Sequence, residues 1–213
     1  MILTFLRHGT TFGPEAVAAM MPFLGGQFHN PSSMYGPAAV VARAMATARA
    51  EVAALLGAGD ATQILFTSCA TESNNAAIVG AARAQPGRRH IVTTAVEHPA
   101  VLEVCRDLAR QGYDVDFLPV DRDGRLDVNA YIRVLRPDTL LVTVMHANNE
   151  TGVVFPVAEL ARLAKETNPH IVVHTDATQS AGKLPLDLDV DLRHVDLLSI
   201  SGHKLHAPKG IGA

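Results

Sequence analysis

The chain contains no tryptophan and only two cysteines, Cys69 and Cys105. Two cysteines in a domain of this size make no disulfide framework, and their spacing fits no common zinc pattern. Charge of one sign is missing as well. Lys and Arg total 18 against 21 Asp and Glu, a formal net charge of −3, and the basic residues are scattered. That balance argues against nucleic acid or an anionic membrane as a partner. Long apolar runs are absent too: the stretch around Val40 and Val41 is broken by Arg43 and Arg49, which leaves no span of about 20 apolar residues for a transmembrane helix. The first residues do not show a basic segment followed by an apolar core and a small-residue cleavage site. A cytoplasmic location is the resulting expectation.

What is present is an ordinary globular composition, 48% hydrophobic and 18% charged over 213 residues, enough chain for one sizeable core. Beyond the first sixty residues or so, strand and helix patterns alternate. Apolar runs at Ile64 to Thr67, Ile91 to Thr94, Leu140 to Met145, Ile171 to Val173 and Val195 to Ile200 predict strands, and Asp114 to Val120 alternates in the strand manner. Helical patterns start after Thr71, span about Pro99 to Gln111, and run from Pro156, placed at the first helical position, to near Asn168. Ahead of them, Pro14 to Met21 and the Ala-rich stretch Ala38 to Leu56 read as helices, the second stopped by Gly57. Continuous β-branched strands separated by helices predict an α/β fold with a mostly parallel sheet covered on both faces. Cys105 falls within an amphipathic helical pattern and reads as a small buried hydrophobe. The terminal run Gly210-Ile211-Gly212-Ala213 resembles the entry to another strand, and the chain is expected to be an incomplete protein.

Ligands of open α/β sheets gather at the C-terminal strand ends, and five such ends carry unusual polar groups. Thr71 lies where a strand gives way to a helix. Either it caps that helix, or its hydroxyl joins outward-pointing N–H groups in an anion site. Asp176 ends an apolar strand, where a carboxylate is costly unless it meets a cation. It is a structural ion pair, a cap, or the partner of a protonated ring nitrogen, with Gln179 three residues on. Lys204 is a solvated lysine or, desolvated at a strand end, a Schiff-base former; Lys209 competes for that role. His203 and His206 lack a third ligand nearby, so no metal site is expected. His98 precedes a proline that holds its backbone extended, and its ring is either structural or stacks on a flat cofactor and shuttles protons. Asn149 caps a strand end or donates its amide to a cofactor or substrate oxygen.

Five segments together resemble the cysteine desulfurases, most of all the nitrogen-fixation (NifS) type. They are Phe66-Thr67-Ser68-Cys69-Ala70-Thr71-Glu72-Ser73, Glu97-His98-Pro99-Ala100-Val101-Leu102, Ala147-Asn148-Asn149-Glu150-Thr151-Gly152, His174-Thr175-Asp176-Ala177-Thr178-Gln179 and the run from Gly202 to Gly210. The likeness spans about residues 14 to 213 and includes Asn30-Pro31-Ser32-Ser33. It implies a homodimeric pyridoxal-phosphate (PLP) enzyme with the large domain of type I transferases, built on a seven-stranded sheet. It divides the chain into an N-terminal arm, 1–25, and a PLP-binding domain, 26–213. Lys204 would carry the cofactor covalently, and Asp176 would keep its ring nitrogen protonated. Ala70, Thr71, Ser201 and His203 would grip the phosphate. Asn149 and Gln179 would address the phenolic oxygen and the ring's surroundings, and His98 would stack on the ring and relay protons.

The implied reaction takes sulfur from L-cysteine, releases L-alanine, and leaves a protein persulfide for an iron–sulfur scaffold, with nitrogenase cluster assembly as the setting. The family's usual N-terminal strand survives here only as Leu6 and Thr10-Thr11, and Tyr35 replaces a histidine usual after the Asn-Pro-Ser-Ser segment. In the family, the sulfur-accepting cysteine and the arginine for the substrate carboxylate lie beyond the position of Ala213, as does the small domain. Cys69 aligns to the phosphate loop and does not replace that cysteine. A selenocysteine lyase and an inactive PLP-binding or dimerising remnant are the alternative expectations.

Overall fold

A computed structural model describes residues 11–213; Leu6 and the rest of residues 1–10, including most of the N-terminal segment compared above, lie outside the described residues. Two helices come first, α1 (Pro14–Leu24) and α2 (Gly36–Leu56). Gly57 ends α2 in the left-handed region, φ 62°, and a Cβ there would stand 2.8 Å from Asp187 Cα, so no other residue fits this stop without strain. Next come α3 (Ala70–Ala84), β1 (His90–Thr94), α4 (Pro99–Arg110), β2 (Asp114–Leu118), α5 (Val128–Val134), β3 (Thr139–Thr143), α6 (Val157–Thr167), β4 (Val172–Asp176) and β5 (Leu197–Ser199).

The five strands form one sheet in the order β2-β1-β3-β4-β5, every pair parallel. The sheet continues past β5 by single antiparallel bridges: Ser201 pairs with Gly212, and Gly212 pairs in turn with Thr67. The expected strand at 64–67 is thus reduced to one bridged residue, and the sixth and seventh positions of the sheet are held by short pairings. The other strands and helices form close to their expected positions. The short α5 was not anticipated, because its seven residues carry too little periodicity to stand out. Pro156 is the N-cap of α6 rather than its first residue.

Every residue of β1 and β3 is buried, and alternation sorts their side chains onto two faces. Ile91 and its register partner Leu141 pack with Ile78 of α3 and Val101, Val104 and Leu108 of α4. Val92 and its partner Val142 pack on the other face with Leu160, Ala161 and Ala164 of α6 and Tyr131 of α5. Each such side chain contributes about 1.5–3 kcal/mol by leaving water. Tyr131 is fully buried, and its hydroxyl donates to the Leu160 carbonyl at 2.8 Å, which ties α5 to α6. Cys105 is completely buried on α4, and burial pushes its thiol up to about 12, the state of an inert core residue. Among the described residues, no helix is long and apolar enough to cross a membrane.

From β1 the chain steps one way to β2, and from β3 it steps the other way to β4 and β5. The reversal lies between β1 and β3. Their following loops must separate there, and a crevice opens above the C-terminal strand ends.

Candidate functional site

A cleft of about 530 Å³ occupies that crevice. It is lined by Ala70 and Thr71 of α3, His98 after β1, Asn149 after β3, Asp176 at the end of β4 and Gln179 after it, and Ser201, His203 and Lys204 after β5. All nine residues singled out in the sequence therefore meet at one cavity, although they are spread over more than 130 positions of chain.

Asp176 forms part of the floor. It is nearly buried; its Oδ2 accepts from Asn74 Nδ2 at 2.7 Å and its Oδ1 from the Thr178 backbone N–H at 2.9 Å. Both donors are neutral, and together they fix the direction of the carboxylate. Lys204 sits half-buried on the Gly202–Lys204 turn after β5, and burial lowers its ammonium pKa. His203 is lowered by burial and by the charges of Lys204, Lys209 and Lys183. This side of the cleft is electropositive. Ser201, almost fully buried, lies 2.6 Å from His203 Nδ1 through its Oγ, which fixes both groups.

The adjacent end of α3 begins at Cys69 as N-cap with no side-chain cap bond. Thr71 is the second residue of the helix, so the capping role considered for it does not hold. Its exposed side chain lines the cleft at the positive end of a 15-residue helix. Glu72 reaches back to the Ser68 N–H at 2.7 Å and closes this loop. Behind it, a Cβ on Gly212 would stand 2.6 Å from the Cys69 carbonyl carbon, so the close pairing of Gly212 with Thr67 requires glycine. Cys69 lines the same cleft, and N–H donation from Glu72, with the Ser68 hydroxyl, lowers its thiol pKa.

His98 is both the N-cap of α4 and a cleft residue; its Nδ1 accepts from the Ala100 N–H at 3.1 Å. In the neutral ring the proton is therefore on Nε2, the nitrogen left for a ligand. Asn148 and Asn149 divide the labour of their loop. Asn148 is buried and spends its amide on Val96, Glu150 and Thr151, whereas Asn149 remains in the cleft wall.

Two residues, one just after a recognised segment and one within another, carry roles that the sequence left unassigned. Asn74 stands one helical turn after Thr71, and that i, i+3 spacing is the signal that could have placed it over the same strand ends. Glu97 is buried below the cleft, its Oε1 accepting from the Met145 N–H at 3.0 Å and the Thr94 hydroxyl at 2.7 Å. Its Oε2 has no hydrogen-bond partner among the described residues. Burial, reinforced by the nearby Asp176 charge, pushes this carboxyl up to about 8 from 4.5.

Because the folded pKa lies above the unfolded one, the folded chain keeps a proton that the unfolded chain releases. Stability therefore falls as pH rises from about 4.5 to about 8 and levels off above. Glu97→Gln keeps the Oε1 acceptor and removes the titration. Urea unfolding is expected to show that variant more stable than the parent at pH 8, by at most roughly 4 kcal/mol, and the two alike at pH 4. A parallel pH dependence in both would rule out this origin.

The residues fit a phosphorylated pyridinium aldehyde. An oriented carboxylate answers the ring nitrogen, a lysine of lowered pKa answers the aldehyde, and the start of α3 with Ser201 and His203 answers the phosphate.

Comparison with known proteins agrees with this chemistry. The aminotransferase class-V family model matches residues 4–213. A cysteine desulfurase of Trichormus azollae is 52% identical over 204 residues, covering 96% of this chain and 50% of that protein. The cysteine desulfurase NifS of Azotobacter vinelandii is 51% identical over 203 residues, with 95% and 50% covered. Among solved structures, a NifS-like protein superposes over 100% of this chain and 58% of its own, with TM-score 0.93 and 37% identity. SspA in complex with cysteine does so over 100% and 60%, with TM-score 0.91 and 37% identity. The chain spans about half the length of the curated relatives it matches.

Proposed function

The chain belongs to the aminotransferase class-V family, and from that premise we propose that residues 26–213 are the PLP-binding domain of a cysteine desulfurase, preceded by an arm over residues 1–25. The observation that carries this reading is the meeting, in one cleft, of Asp176, Lys204 and the uncapped start of α3. The cysteine desulfurase relatives and the cysteine bound to SspA support L-cysteine as the substrate.

When bound, PLP supplies an aldehyde that captures amines and a protonated ring that withdraws electrons. Lys204 is the amine that holds it covalently, and burial raises the share of that amine in the neutral, nucleophilic form. Asp176 holds the proton on the ring nitrogen, with Asn74 and the Thr178 N–H fixing its direction. The N–H groups at Ala70 and Thr71, with Ser201 and His203, bind the phosphate. Asn149 and Gln179 orient the phenolic side. His98 would lie beside the bound cofactor and would move a proton at Nε2, since Nδ1 is engaged by Ala100. With an acceptor thiol from outside residues 1–213, L-cysteine gives L-alanine and a persulfide on that thiol, whose sulfur passes to an iron–sulfur scaffold. Exposed Met21, Leu24, Phe28 and Met34 support pairing with a second copy.

The test is to add PLP to the purified chain, reduce one portion with borohydride and locate the trapped mass by peptide mapping, and assay an unreduced portion, with dithiothreitol as the reductant of the released sulfur, for alanine and sulfide from L-cysteine. The expected result is label on the Lys204 peptide and alanine formed in step with sulfide. Label elsewhere overturns the cofactor assignment. Label on Lys204 without alanine removes the desulfurase activity from this chain.

A further inference from the structure

Beneath the cleft, on the face of the sheet that packs against α3, runs a buried polar chain across three strands. His174 of β4 is completely buried; its Nδ1 lies 2.8 Å from Thr143 Oγ1 on β3, and its Nε2 lies 3.0 Å from Ser199 Oγ on β5. His174 precedes Asp176 by two residues, so both side chains leave β4 on the same face, about 6.7 Å apart along the strand. The register places Thr143 opposite His174 and Ser199 opposite Asp176. The imidazole therefore reaches diagonally to the residue that flanks the carboxylate. Ser199 in turn stands two residues before Ser201, the buried hydroxyl on the proposed phosphate side.

We propose that His174 is a positioning residue that fixes the spacing between Asp176 and Ser201, and with it the separation of the ring-nitrogen and phosphate contacts. The β4–β5 ladder ends at the Asp176–Ser199 pair, and beyond it Ser201 is bridged on its other side to Gly212; the imidazole adds a side-chain tie between β4 and β5 where that ladder stops. A buried imidazole has two nitrogens, and here each has one hydroxyl partner. Both hydroxyls can donate or accept, so either neutral tautomer satisfies the chain. Burial lowers the imidazole pKa and favours that neutral state, so the site gains orientation without a cation that would compete for Asp176. This inference rests on the PLP reading above and deepens it.

The experiment compares the parent chain with His174→Leu, His174→Gln, Thr143→Val and Ser199→Ala. It measures PLP affinity, the pH titration of the visible band of the lysine-linked cofactor, and thermal unfolding. His174→Leu is expected to bind PLP about tenfold more weakly, the effect of losing roughly one buried hydrogen bond's worth of orientation. Its titration midpoint moves upward, because a ring proton held less well withdraws less charge from the lysine nitrogen. Thr143→Val and Ser199→Ala shift both readouts less, in the same direction, and His174→Gln restores part of each. A purely structural role would lower the unfolding temperature and leave affinity and titration unchanged, which overturns the proposal. If His174→Leu fails to fold, unchanged affinity and titration in Thr143→Val and Ser199→Ala overturn it equally. If the parent itself gives no band with PLP, the cofactor reading fails first and this inference falls with it.

Discussion

Lys204→Ala is expected to lose the visible absorption band that the parent chain acquires with PLP, together with all borohydride-trapped mass. Alanine release from L-cysteine should fall at least about 1000-fold, the scale seen when a covalent group is removed from an enzyme. The chain offers two other lysines near the site, and the structure separates them. Lys209 is exposed and outside the cleft lining, so Lys209→Ala should keep the band. Lys183 is partly buried, and its Nζ donates to the Gln179 carbonyl at 3.1 Å, a structural use of the ammonium. Its pKa is lowered by burial and by Lys204, so Lys183→Ala should ease the positive field around Lys204 without moving the label. A band that survives Lys204→Ala and disappears in Lys183→Ala would reassign the covalent residue.

Asp176→Ala is expected to weaken PLP binding by about 100-fold or more, the scale of removing one member of a buried charge pair. Two effects combine in that number. The ring nitrogen loses its carboxylate, and Asn74 Nδ2 and the Thr178 N–H lose their acceptor. Asp176→Asn separates them, because it retains an acceptor oxygen and removes the charge. If charge matters, Asp176→Asn binds nearly as weakly as Asp176→Ala while its unfolding midpoint stays near that of the parent. If Asp176 serves only to cap the turn at Thr178, Asp176→Asn binds PLP like the parent, and the role assigned to this carboxylate is lost.

The alternation of apolar runs and amphipathic helices sufficed for the parallel sheet, since strands buried on both faces must read as continuous apolar segments. It failed where the local signal is weak. The strand expected at 64–67 is a single bridge at Thr67, because its pairing depends on Gly212, almost 150 residues away. The helix α5 escaped notice because seven residues show too little of a 3.6 period. The helix start was misplaced by two residues, and that shift changes the meaning of Thr71 from a cap to a first-turn residue facing the cleft.

The site was legible because its residues sit in short segments at strand ends, and polar groups at the end of a buried strand are conspicuous. Asp176, Lys204 and His98 could be named from the chain alone. Their partners could not. Glu97 lies inside a recognised segment and Asn74 directly after one, yet nothing local shows that one carboxyl is buried with an oxygen unpartnered among the described residues or that one amide reaches 102 positions along the chain to Asp176. The same is true of His174, whose hydroxyl partners stand on two other strands. Sequence by itself determined which residues face the crevice, because period and strand-end position are local properties of the chain. Tertiary structure decided which of them are charged, oriented or held neutral, because burial and long-range hydrogen bonds exist only once the strands are side by side.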